Sequence, residues 1–92
     1  MLNVKFTSAY KKSYKRLKKR GADLALLDNV IDALRREEPL PEKYRDHALK
    51  GNFQGFRECH IQPDWLLIYL IENEILTLTL VDTGMHSDLF NL

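Results

Sequence analysis

Three histidines, His47, His60 and His86, lie in separate stretches of the chain, and an aspartate, Asp64, follows the second by four positions. Imidazole is suited to moving protons near neutrality, because its unperturbed pKa of about 6.5 leaves both protonation states populated. Two such rings and a carboxylate could take a proton from a ribose 2′-hydroxyl and return one to the departing 5′-oxygen. Two cations in the same region, Lys50 and Arg57, could neutralise the charge that gathers on the phosphate between them. The chemistry this composition points to is RNA cleavage without a metal.

Other uses of the same residues fit less well. The three histidines and Asp64 have acceptable donor types for zinc, but none of the short-spaced pairs that zinc sites use. Cys59 falls at a strand phase that implies burial, which disfavours a nucleophilic thiolate. Neither a metal nor a cofactor is expected. Trp65 and Phe90 are packing residues by default, with stacking on a base as their functional alternative.

Convergence of the histidines depends on the elements that carry them. "LNVKF" alternates apolar Leu2, Val4 and Phe6 against Asn3 and Lys5, the period of a half-buried strand. Ser8 is the expected cap of a helix through Arg20, ended by Gly21, with Tyr10, Tyr14 and Leu17 as its apolar seam. Asp23 is the expected cap of a second helix, whose stripe is Leu24, Leu27, Val30, Ile31 and Leu34; Pro39 and Pro41 stop it. Residues 37–53 read as a surface loop.

"GFRECHIQ" alternates again: Phe56, Glu58, His60 and Gln62 on one side, Arg57, Cys59 and Ile61 on the other. Pro63 and Asp64 turn the chain into "WLLIYLIE", and "ENE" is a tight connection into "ILTLTLV". "DTGMHSDLFNL" reads as a glycine turn, then a helical turn over 87–90. The order β-α-α-β-β-β predicts an α+β fold, with the two amino-terminal helices on one face of a small mixed sheet. Cys59 and Ile61 should face the helices, and Glu58 and His60 the open side. A meander also places His60, Asp64 and His86 at one edge, where the loop before His60 can deliver His47.

Composition bounds the rest. At 92 residues and 45% hydrophobic side chains, the chain can bury one modest core, so residues 1–92 are read as a single domain. "WLLIYLI" is far shorter than the roughly 18 apolar residues of a membrane span, and "MLNVKFTSAYKK" holds no signal-like apolar block. A lone cysteine suits a reducing compartment, and the cytoplasm is expected. Net charge is only +1, yet every charged residue from Lys5 to Arg20 is basic. Lys11, Lys12, Lys15 and Lys18 are therefore candidates for contact with a polyanion.

The blocks "YRDHALKG", "FRECHIQPDWLLIY" and "TGMHSDLF", in that order, resemble the YafQ branch of the RelE/ParE toxin superfamily, the toxin halves of bacterial toxin–antitoxin pairs. The resemblance implies a small α+β domain with two helices against a curved sheet. It implies a ribosome-dependent endoribonuclease that cuts mRNA in the decoding site of the small subunit. Its partner would be an antitoxin that holds it inactive, with operator DNA reached only through that complex.

The resemblance also carries roles onto particular residues. His47, His60, Asp64 and His86 match family catalytic positions, with His47 or Asp64 as base and His86 or His60 as acid. Phe90 matches an aromatic that arranges the substrate, Glu58 an acidic position supporting the site, and Trp65 a wall. Relatives commonly have an arginine where this chain has Asp82, and an aspartate facing the phosphate would repel it. Lys50 and Arg57 would then supply the positive charge. Two rival readings are a non-catalytic ParE-like binder of a protein such as DNA gyrase, and a decayed nuclease kept for its antitoxin and operator complex.

Overall fold

Thr7, rather than Ser8, opens the first helix. Its Oγ accepts a hydrogen bond from the Tyr10 amide at 3.0 Å and donates one to the Val81 carbonyl at 2.5 Å. One hydroxyl thus caps α1 (Ser8–Lys19) and ties it to the last strand. Arg16, Lys18 and Lys19 in the final turn complement the negative end of the helix dipole. Gly21, at φ 78°, reverses the chain where a side chain would be strained. Asp23 caps α2 (Leu24–Arg35) by accepting from the Ala25 amide at 3.2 Å.

The computed structural model describes residues 1–86 and 89. Its sheet has five strands, β1 (Asn3–Phe6), β2 (His47–Ala48), β3 (Arg57–Gln62), β4 (Trp65–Glu72) and β5 (Thr77–Met85), in the order β1-β5-β4-β3-β2. β1 runs parallel to β5, and the other pairs are antiparallel. The helices cover one face, burying Leu17, Leu27, Val30 and Leu34 against Cys59, Leu67, Tyr69, Leu78 and Leu80. No helix among the described residues is long and apolar enough to cross a membrane.

Three local expectations change. The segment 37–53 is not simply a loop: it holds single 3₁₀ turns at Glu42–Tyr44 and Gly51–Phe53, and the two-residue β2 between them. A strand this short leaves no alternation to read, and only its pairing with β3 defines it. "ENE" enters β5 through a 3₁₀ turn at Asn73–Ile75, with Leu76 left-handed at φ 48°. "DTGM" continues β5 to Met85 instead of turning at the glycine, because β4 pairs with it throughout. The helical turn expected at 87–90 lies largely outside the described residues.

A bulge divides β5. Tyr69 pairs with Leu80 and Ile68 with Asp82, so Val81 is an extra residue opposite no partner. Leu78 and Leu80 face the helices before the bulge, and Thr83 takes that side after it, bonded to the core indole of Trp65. Asp82 consequently shares a face with Ile68.

Cys59 is fully buried between the sheet and the helices. Burial, reinforced by the charges of Asp46 and Glu58, pushes its thiol from 9.0 up to about 12. The folded state holds this proton where the unfolded chain has lost it, so the associated stability is complete below about pH 9 and declines as pH rises toward 12. Iodoacetamide at pH 8.5 should leave Cys59 unmodified by mass spectrometry in the folded protein and label it in urea. Urea melts should show stability falling above pH 9; rapid labelling of the native protein would contradict the burial.

Candidate active site

β3 carries the centre of the site on the face away from the helices. Pairing sets side chains of opposite residues on one face, so the registers His47↔Glu58, Glu58↔Ile68 and Ile68↔Asp82 define one row across the sheet. His60, Leu66 and Gly84 form the next. Leu66 and Ile68 are buried, giving the polar groups an apolar floor.

Glu58 is the buried charge of this face, only 5% exposed. Its Oε1 lies 3.5 Å from His47 Nε2 and 3.7 Å from His60 Nε2, and the two imidazole rings stand 6.4 Å apart. His47 Nδ1 faces the Arg45 carbonyl at 2.6 Å, and His60 Nδ1 faces that of Pro63 at 3.1 Å. A carbonyl only accepts, so each Nδ1 carries a proton and each Nε2 is left to face the carboxylate. A proton on either Nε2 turns that contact into a charge-assisted pair. The arrangement sets one buried carboxylate within reach of both rings.

His86 reaches the same corner through the backbone. Its amide donates to the Asp64 carbonyl at 3.1 Å, one residue beyond the carbonyl that holds His60. Asp64 itself is exposed in the turn between β3 and β4. Lys50 is exposed just after β2.

Arg57 is elsewhere. It alternates with Glu58 onto the other side of β3, where Nε and Nη2 donate to Asp46 at 3.3 and 3.2 Å. The Tyr69 hydroxyl donates to the same carboxylate. Asp46 strengthens the guanidinium's hold on its proton, and burial followed by the Asp46 hydrogen bond does the same for the Tyr69 phenol. Arg57 does not reach the imidazoles; it clamps the residue immediately before His47.

Sequence reasoning missed two cations that share a hollow with His60. Lys43 and Arg45 line a hollow of about 450 Å³ with His60, Gln62 and Pro63. Arg45 adopts a left-handed conformation at φ 48°, which turns its carbonyl toward His47. The signal was the run "EKYRDH", two bases just ahead of a candidate histidine, inside a stretch read as undifferentiated loop.

Trp65 is neither wall nor stacking surface. Its side chain is 1% exposed in the helix-facing core, where the indole N–H donates to Thr83 Oγ at 3.0 Å; that hydroxyl donates to the Leu66 carbonyl at 2.7 Å. Asp82 does lie on the imidazole face, two strands from Glu58, but its Oδ1 accepts from Ser13 Oγ of α1 at 2.6 Å and from the Thr83 amide at 2.8 Å. Those donors offset part of its charge. Lys11, Lys12, Lys15 and Lys18 are exposed on α1, and Phe90 lies outside the described residues. Among the described residues, no three or more His, Cys, Asp or Glu side chains converge as metal ligands.

Comparisons with known proteins agree with this architecture. A family model described as the bacterial toxin of type II toxin–antitoxin systems, YafQ, matches residues 2–91. The mRNA interferase toxin YafQ of Escherichia coli strain K12 is 35% identical over 89 residues, which cover 96% of this chain and 95% of that protein. A crystal structure of a metal-bound toxin from Helicobacter pylori is 48% identical with a TM-score of 0.92, over 98% of this chain and 100% of that one. YafQ in the E. coli DinJ–YafQ complex is 32% identical with a TM-score of 0.88, over 98% and 99%. Matched along nearly its whole length, the chain belongs to the YafQ family of bacterial type II toxins.

Proposed function

We propose that the protein is an mRNA interferase, the toxin of a type II pair, which cleaves mRNA on the ribosome and is held inactive by a cognate antitoxin. The observation that carries the reading is the buried Glu58 carboxylate between the Nε2 atoms of His47 and His60, with His86 fastened to the adjoining turn. Relatives named mRNA interferase, and a relative solved in complex with its antitoxin, support it.

The cleavage needs no atom beyond RNA and protein. His47 or Asp64 takes the 2′-hydroxyl proton, and the 2′-oxygen bonds to phosphorus, giving a 2′,3′-cyclic phosphate. The bond from phosphorus to the 5′-oxygen breaks, and His60 or His86 protonates that oxygen. Glu58 faces both neighbouring rings and orients them. Lys50 and Arg45 balance the charge on the phosphate, in the role that Arg57 cannot fill from the other face.

On translating ribosomes, His60→Ala and His86→Ala should each lower mRNA cleavage by about 10²-fold or more while leaving circular dichroism and thermal melting near wild type. Near-normal cleavage by both variants would remove the mechanism. Gyrase supercoiling, assayed in parallel, should be unaffected by the wild-type protein.

The two arginines should separate by salt. Arg45→Ala should weaken RNA binding about tenfold and reduce the slope of log affinity against log salt by about one. Arg57→Ala should leave that slope unchanged and lower turnover by loosening Asp46 and, with it, His47. Neutralising Lys11, Lys12, Lys15 and Lys18 together should weaken ribosome association and flatten its salt dependence; unchanged binding across a salt series would exclude α1 as a docking surface.

A further inference from the structure

The hollow that His60 shares with Lys43 and Arg45 holds groups that proton transfer does not use. Leu26 of α2 and Ile61 of β3 give it apolar surface, and Tyr44 of the first 3₁₀ turn gives it an aromatic ring. The Lys43 ammonium stands 5.2 Å from the centroid of that ring. Gln62 adds a neutral amide to the wall. At about 450 Å³ the space falls within the roughly 300–1,000 Å³ of pockets that hold small organic groups.

β3 sets this hollow in line with the imidazoles. His47 pairs with Glu58, His60 follows two residues later and Gln62 two beyond that, at roughly 3.3 Å per residue. The register passes from His60↔Leu66 to Gln62↔Trp65, so Ile61 has no partner and a bulge bends the strand just past His60. His60 Nδ1 is held on the Pro63 carbonyl at 3.1 Å, and Pro63 is itself part of the wall. With His47 as base and His60 as acid, an RNA strand that presents its 2′-hydroxyl to the first ring and its leaving oxygen to the second carries its next nucleotide toward the hollow.

The chemistry of the lining matches that occupant. Lys43 and Arg45 are cations, and no carboxylate stands among the described residues that line the space. Cations hold phosphates, an aromatic and apolar surface takes the face of a base, and an amide offers both donors and acceptors to its edge. We infer that the hollow is the subsite for the nucleotide on the 3′ side of the cleaved bond: its base lies against Tyr44 and Leu26, Gln62 reads its edge, and Lys43 holds the phosphate beyond it. The inference rests on the reading of the chain as an mRNA interferase, and it gives that site a determinant of sequence preference.

The test uses the intact protein on ribosomes programmed with defined mRNAs, in which the nucleotide just 3′ of the mapped cut carries each of the four bases or none. For the wild type, removing that base should lower kcat/KM about tenfold. The four bases should differ among themselves by about fivefold or more. Tyr44→Leu should shrink the abasic penalty to about twofold or less. Gln62→Ala, at an exposed position that leaves the fold intact, should narrow the spread among the four bases to about twofold or less. Each readout is a ratio between substrates for one variant, so a general loss of stability or turnover cancels from it. Wild-type indifference to the missing base, or base preferences in Gln62→Ala equal to those of the wild type, overturns the inference and leaves the interferase reading standing. So does an undiminished abasic penalty in Tyr44→Leu. Failure of the wild type to cut any programmed mRNA overturns both.

Discussion

The rest of the structure depends on the two-residue period of β3. One set of its side chains, Cys59 and Ile61, is committed to the helices, and the other, Glu58 and His60, to the opposite face. Arg57 belongs to the first set and anchors Asp46, while Glu58 belongs to the second and receives His47. A single six-residue strand thus fixes the core and positions the short strand that delivers a histidine. A slip of one residue would exchange every one of these roles, and burial of Cys59 and Ile61 is what forbids it.

Glu58 is buried at a cost, since a desolvated carboxylate is tolerated only when it is partnered. Its partners are the two rings whose other nitrogens are spoken for by backbone carbonyls. The apolar floor of Leu66 and Ile68 strengthens the electrostatics above it by excluding water. Asp82 sets a limit on this face: the bulge at Val81 places it in the row of Ile68 and Glu58, and Ser13 holds its carboxylate toward α1.

Much of this was legible from residue patterns. The two helices, the meander and the facing of Cys59 against His60 all follow from periodicities long enough to read. The same alternation separates Arg57 from His60, so its assignment to the phosphate conflicted with its own strand phase. β2 was not legible, because two residues have no period and their pairing is set by the Asp46 clamp across a gap of 11 residues. Trp65 misled because an indole fits a substrate wall and a core equally well; only the Thr83 hydroxyl, brought near by the β4–β5 register, decides between them. Arg45 was hidden for a different reason, since its backbone twist rather than its side-chain type turns its carbonyl toward His47.

The parallel pairing of β1 with β5 has a consequence for biosynthesis. Asn3 meets Thr77, and the Thr7 hydroxyl that caps α1 meets the Val81 carbonyl 74 positions later. Closing so long a loop yields nothing until the distant strand exists. A chain still being synthesised can form its helical hairpin before β5 exists but cannot close its sheet, and His86 follows β5 directly. The architecture therefore keeps the sheet, and with it the approach of His86 to the Asp64 turn, from assembling until β5 has been made.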